Sequence, residues 1–259
     1  MYEDLRVKTN DRYEYILPNI MFGKTFFTEK FGTLNFESNA YYNNYDVNKH
    51  KTFLINDITW NPFSYITKKG FINTVEGMIK NINYKTKKTN EYKDENTTNE
   101  LTSVLAFKTS LPMKKDGVNY SKIFSPNIMI RYAPGHMRDL SGKDEILNYT
   151  NLYSLNKTAE IENGLSTMLG IDYKINEKDK DGTDREKLSL SIGQVFNYEE
   201  NEDLPSKSSL DQKTSDIVGE INYNFSKIGK IDYKFSIDHN FNDLNYNEVS
   251  TELNFNKIQ

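Results

Sequence analysis

The sequence predicts an all-β protein, an antiparallel up-and-down meander of about eleven strands. Three features lead there. Residues 188–255 alternate apolar or aromatic side chains with Ser, Asn, Asp, Glu and Lys. Successive side chains of a strand point to opposite faces, so each run has one apolar and one polar face. Connections alternate between a long polar loop, 199–212, and a tight turn, 226–229. Aromatic residues make up 13% of the chain, with 18 Tyr and 15 Phe, which suits strands better than helices.

Taken in order, the first strand is expected at 12–22, where Pro18 weakens pairing and marks an edge or a bulge. Residues 23–30 read as a turn, 31–42 as a strand and 43–51 as a polar loop. Strands follow at 52–60, stopped by Asn61-Pro62, and at 71–84, where Gly77 suggests a bulge. The charged stretch 85–99 reads as a solvated loop. Further strands are expected at 101–111 and 123–132, separated by a turn around Asp116-Gly117. Residues 135–163 form the longest irregular region, and loops of that length are usually functional or poorly ordered. A strand at 164–175 and a charged turn at 176–187 lead into strands at 188–198, 217–225, 231–241 and 249–255.

Alternating strands serve a transmembrane barrel, with lipid on one face and a wet lumen on the other. They serve a soluble sandwich or barrel equally well. About ten residues cross a bilayer at the usual tilt, and aromatic girdles mark its interfaces. These strands are long enough, and Phe196, Tyr198, Phe225, Phe241 and Phe255 stand at their ends. The residues expected to face lipid are Leu188, Leu190, Ile192, Phe196, Ile221, Tyr223, Phe225, Tyr233, Phe235 and Ile237.

A mean hydropathy of −0.75 and the lack of any run of about 18 apolar residues exclude a helical membrane protein. Net charge is −4, and no basic stripe suggests a nucleic-acid partner. Cysteine is absent, which excludes disulfides and thiol chemistry within this chain. The charged start, Met1-Tyr-Glu-Asp, has no signal-peptide core, and the end stops with a strand. Both ends read as cuts, so an internal piece of a longer protein is expected, and an odd strand number fits that expectation.

No catalytic or metal constellation stands out, and neither enzyme activity nor a cofactor is expected. His50, His136 and His239 are isolated from one another. Residues 177–188 place Asp179, Asp181 and Gly182 at calcium-loop offsets. Glu177 and Leu188, however, hold the first and twelfth positions, where Asp and a bidentate Glu are needed, so a turn is expected.

Five stretches resemble one family, the C-terminal barrel domain of the outer-membrane LPS-assembly protein LptD. Arg12-Tyr-Glu-Tyr-Ile-Leu-Pro18 is similar to the segment that opens the barrel region. The run 124–134 resembles its Pro-strand-Tyr-x-Pro segment, through Pro126, Arg131, Tyr132 and Pro134. Residues 151–164 are similar to an Asn-Arg loop leading to Glu-x-Gly, through Asn156, Glu162 and Gly164. Gly193 and Gln194 resemble a Gly-Gln signature, and Ser215-Asp216 the pair that opens the next strand. Lys157 stands where the family usually has Arg, Asn163 where Gly is common, and the cysteines of well-known members are missing.

The resemblance implies a central section of a large outer-membrane β-barrel, with the terminal strands and periplasmic domain outside this piece. It implies a translocon component that inserts lipopolysaccharide into the outer leaflet, not an enzyme. Lipopolysaccharide and outer-membrane lipids would be its partners, with the plug lipoprotein LptE and the periplasmic bridge LptA. No lateral-gate residues are assigned. A porin-like channel and a soluble β-sheet binding protein are the alternatives. Counting back from the tight turn at 226–229, taken as periplasmic, places 85–99, 135–163 and 199–212 outside the cell.

Overall fold

The structure, a computed structural model, describes residues 2–3, 13–45, 49–89, 92, 96–158, 160–178, 183–226 and 228–253. It contains β1 (Tyr2–Glu3), β2 (Tyr13–Thr28), β3 (Gly32–Tyr45), β4 (Lys49–Asn61), β5 (Tyr65–Ile66), β6 (Ile72–Lys87), β7 (Thr98–Ser110), β8 (Met113–Asp116), β9 (Tyr120–Ala133), β10 (Gly164–Lys178), β11 (Asp184–Asn197), β12 (Ile217–Asn224), β13 (Gly229–Ile237) and β14 (Leu244–Leu253). Setting aside the short β1, β5 and β8, eleven strands of eight residues or more remain, the expected number. Hydrogen bonding follows chain order, β1-β2-β3-β4-β6-β7-β9-β10-β11-β12-β13-β14, with β5 on β6 and β8 on β9. Every register resolved is antiparallel. A single 3-10 turn, Lys207–Ser209, is the helical element among the described residues.

Several boundaries differ from expectation. Strand β2 runs through Gly23 to Thr28, so the turn expected at 23–30 shrinks to 29–31. The β2–β3 register shifts between Ile16 and Asn19, a bulge around Pro18, where proline has no N–H to give to the ladder. At Gly77 the β4–β6 register runs on without a shift, so the bulge expected there is absent from that pairing. Strand β6 continues to Lys87 and β7 begins at Thr98, which shortens the loop expected at 85–99. Strand β13 stops at Ile237, and Phe241 lies in a turn with a φ of 61°. Arg12, Phe255 and residues 179–182 lie outside the described residues.

The chain divides into two compact units. The first comprises Met1–Phe63 with Glu76–Ser103, the second Ser64–Val75 with Val104–Gln259. In the first unit, one face carries the rows Tyr41-Phe53-Tyr84, Asn39-Ile55-Ile82 and Glu37-Asp57-Lys80. Phe53 stacks between Tyr41 and Tyr84 at centroid distances of 5.1 and 5.7 Å, and Tyr92 meets it edge-on at 4.9 Å. The opposite face carries Leu34-Trp60-Gly77, Phe36-Ile58-Ile79 and Ser38-Asn56-Asn81.

The second unit has the sharper division. Outward from β10, one face reads Phe124-Tyr173-Leu190-Ile221-Tyr233-Val249 and Pro126-Ile171-Ile192-Gly219-Phe235-Asn247. The reverse reads Ser125-Asp172-Ser191-Glu220-Lys234 and Arg131-Ser166-Asn197. The apolar rows are substantially exposed: Ile128, Ile130, Tyr132, Leu165, Leu169 and Ile171 all count among the open hydrophobic side chains. Instead, the buried core of this unit lies on the polar side, where the irregular segment 134–163 folds down onto the sheet.

Candidate functional site

The segment 134–163, here called the strap, leaves β9 at Ala133 and enters β10 at Gly164, and these two residues are paired partners. Leu147 and Leu152 are fully buried, and Leu155 and Ile161 nearly so. On the sheet face the strap folds onto, Met129, Met168, Val195 and Val218 are apolar and almost wholly buried. Close approach depends on Gly170 and Gly193, paired across β10 and β11. A Cβ on Gly170 would collide with the Tyr153 hydroxyl, and one on Gly193 with Leu152 Cδ2. Glycine within a strand marks a place where another part of the chain comes close.

Two buried carboxylates, Glu162 and Asp216, and the half-buried Asp172 pin the strap and the neighbouring loop. Burying a carboxylate is costly unless it is paired or well hydrogen-bonded; Glu162 is both, and Asp172 and Asp216 are held by hydrogen bonds. Glu162 Oε1 accepts from the Lys157 backbone N–H, from the Thr158 N–H at 2.7 Å and from the Thr158 hydroxyl at 3.1 Å. Its Oε2 faces Arg131 Nη2 at 3.3 Å and Lys157 Nζ at 3.8 Å. Arg131, only 1% exposed, also donates to the Leu155 carbonyl at 2.5 Å and the Glu162 carbonyl at 2.7 Å. Asp172 Oδ1 accepts from Tyr149 Oη at 2.7 Å and Ser191 Oγ at 2.6 Å, while Oδ2 accepts from Asn127 Nδ2 at 2.7 Å. Burial pushes the Tyr149 and Tyr153 phenols above their ordinary range, with Asp172 adding to the effect, so Tyr149 stays a neutral donor to Asp172. Asp216 accepts from Ser209, Ser236 and Asn245 at 2.7–2.8 Å.

The loop 199–212 docks against the strap. Leu140 N–H donates to the Asp203 carbonyl, Leu147 N–H to the Ser208 hydroxyl, and Lys207 pairs with Asp144 at 2.6 Å. At their junction is a cavity of about 200 Å³, lined by Arg131, Lys157, Glu162, Asn197, Glu199 and Asn201 among others.

Several residues singled out in the sequence meet here. Arg131, Glu162 and Gly164 lie at the strap's base. Asn156 donates to the Thr158 carbonyl. Gln194 Nε2 donates to the Ser215 carbonyl, and Ser215 Oγ both accepts from Val195 N–H and donates to the Asp216 carbonyl. Pro18 lies in the first unit, and Tyr132 stands on the apolar face of the second. Pro126 lies within β9 and Pro134 directly follows it. Of the residues expected to face lipid, Leu188, Leu190, Ile192, Phe196, Ile221, Tyr223, Tyr233 and Phe235 fall on the face opposite the strap. Phe225 follows β12 and lies against Gly229, and Ile237 sits at the bulge of β13. Asp172, Tyr149, Tyr153 and Gly170 were missed; the signal available was a glycine at the polar-face position of a strand.

Lys157 is buried, and burial pushes its pKa down from 10.5 to about 8, against the pull of Glu162. The docked strap thus releases this proton before the undocked chain does. Between about pH 8 and 10.5 the undocked form binds more protons, so docking is stabilised as pH rises through that window. Strap release should therefore fall from pH 7.5 to pH 10, and the trend should flatten in Lys157→Met. Amide exchange at 147–161, referenced to the intrinsic exchange rate at each pH, measures it; a flat wild-type profile would refute it.

A family model described as LPS transport system D, LptD, matches residues 11–259. No curated protein matches the chain.

Proposed function

Because the chain belongs to the LptD family, whose members transport lipopolysaccharide to the outer membrane, we propose that it forms barrel wall of the translocon that inserts lipopolysaccharide into the outer leaflet. The observation that carries this reading is the opposition of faces in the second unit. One face offers largely apolar rows to a lipid phase, and the other offers acids, amides and hydroxyls to a wet interior. An amphiphile with a long glycan needs both: a polar passage for its sugars and a neighbouring hydrocarbon phase for its acyl chains. The strap sits on the passage side, where it would narrow the route. The tight turn at 226–229 is periplasmic in this reading, and the strap and the loop 199–212 enter from outside. LptE would pack on the polar side and LptA would deliver from the periplasm, both by family resemblance. The chain's own part is transport rather than catalysis.

A photoactivatable lipid-phase probe tests the assignment on the chain folded in bilayers. Ile221, Tyr223, Phe225, Tyr233, Phe235 and Ile237 should label, whereas Asn222, Asp232 and Lys234 should not. Labelling of neither set would sink the membrane reading.

A further inference from the structure

We infer that the outward ends of β4 and β6 carry a binding strip for phosphorylated lipid headgroups, on the face of the first unit that holds Trp60. This rests on the membrane reading above.

Along β6 that face presents Gly77, Ile79, Asn81, Asn83, Lys85 and Lys87, and the same strand continues its alternation back through Val75 and Asn73, which belong to the second unit. From Asn73 to Asn83 a strand at membrane tilt covers about 25 Å, the height of an apolar band. The upper edge of the band is marked by hydrogen bonds running across the strands. Ser38 Oγ donates to Asn56 Oδ1 at 2.8 Å, Asn56 Nδ2 to Asn81 Oδ1 at 3.4 Å, and Asn83 Nδ2 to Asn81 Oδ1 at 2.6 Å; Asn99 Nδ2 continues to Asn83 Oδ1. Side-chain amides that satisfy one another can sit at the edge of hydrocarbon, where single amides would be costly.

Just beyond this ladder come the rows Tyr42-Thr52-Lys85 and Asn44-His50-Lys87. They sit at headgroup depth, and besides the Tyr42 phenol they carry two lysines and a histidine. The sheet separates its charges strictly here. Among the described residues of β2, β3, β4 and β6, the other ion on this face is Lys24, again a cation, whose amine lies 5.2 Å from the Phe26 ring centre. The carboxylates Glu37, Asp57 and Glu76 are all on the reverse face. Glu100 belongs there too, since it accepts from Tyr84 Oη at 2.7 Å. A strip of lysines at the lipid surface, with no carboxylate on its face among the described residues of these strands, fits an anionic headgroup, and the outward position selects the phosphorylated glycolipid of the outer leaflet.

The test uses the chain folded in zwitterionic micelles, titrated with a bis-phosphorylated glycolipid or its dephosphorylated form, with bound lipid counted by native mass spectrometry. The wild type should prefer the phosphorylated form about tenfold or more, at roughly a factor of five per lysine. Lys85→Gln combined with Lys87→Gln should abolish most of that preference, while Lys80→Gln, on the reverse face, should keep it. Equal wild-type affinities, or an undiminished preference in the double variant, would overturn the inference. So would full competition by millimolar inorganic phosphate, which would indicate a free-anion site. Failure of the membrane reading looks different: the chain would take up neither lipid, and its strands would escape the lipid-phase probe.

Discussion

Arg131→Met should free the strap while leaving the sheet folded. The guanidinium has no substitute: it faces Glu162 Oε2 and holds the carbonyls of Leu155 and Glu162. Removing one partner of a buried pair costs about 3–5 kcal/mol, and the low end applies here because Glu162 keeps Lys157 Nζ at 3.8 Å and the donors on its Oε1. Most of that cost falls on strap docking, because β9 keeps its backbone ladder to β10 whatever side chain stands at 131. A loss of 3 kcal/mol multiplies the undocked population by about 150. Trypsin reads it directly. Lys157 is 8% exposed and should be protected in the wild type, whereas cleavage after Lys143, at the strap's exposed tip, serves as an internal reference. The ratio of cleavage at Lys157 to that at Lys143 should rise by about two orders of magnitude in the variant, and an unchanged ratio would sink the latch.

The second large effect is steric. Gly193→Val places a branched side chain where Leu152 Cδ2 already sits, with the Leu169 carbonyl 2.9 Å from the new Cβ and the Gly170 Cα 3.3 Å away. Overpacking of this kind costs about 1–3 kcal/mol when the surroundings yield. Here the rigid side is a strand ladder and the yielding side is the strap, so the strap should lift. Its lifting would also unseat Tyr149 from Asp172, because the two contacts sit on adjacent rows. Leu152→Ala in the same chain should restore part of the protection at Lys157. Without that rescue, the clash would lie within the sheet.

The strands were legible wherever one face had to be apolar, because period-two alternation appears only when the faces differ. Residues 188–198 and 164–175 are read this way, but β11 starts earlier, at Asp184, and β10 runs on to Lys178, into the charged stretch expected as a turn. The reading failed where both faces turn polar. Residues 85–87 continue β6 beyond its last apolar position, and Thr86 pairs with Lys51 rather than beginning a loop. Gly23 looked like a turn but is an ordinary rung opposite Glu37. For the site, short motifs drew attention to Arg131, Glu162, Gln194, Ser215 and Asp216. Their contacts were not readable. Asp216 meets Ser236 and Asn245 only because the β12–β13 and β13–β14 registers bring them together. Asp172 stayed hidden because its partners Tyr149, Ser191 and Asn127 come from three separate parts of the chain.

The strap begins and ends on one rung, since Ala133 and Gly164 are paired. Its ends are therefore tied whether it is docked or not, and the entropy of closing that loop was already spent when the β9–β10 hairpin formed. Undocking returns only internal freedom, so the strap can come and go without loosening a strand. Its span of about 30 residues lets a released tip swing roughly 50 Å from its hinge, half the contour at full stretch. A tether of that radius, held at both ends by one rung, can return to its seat without searching for it.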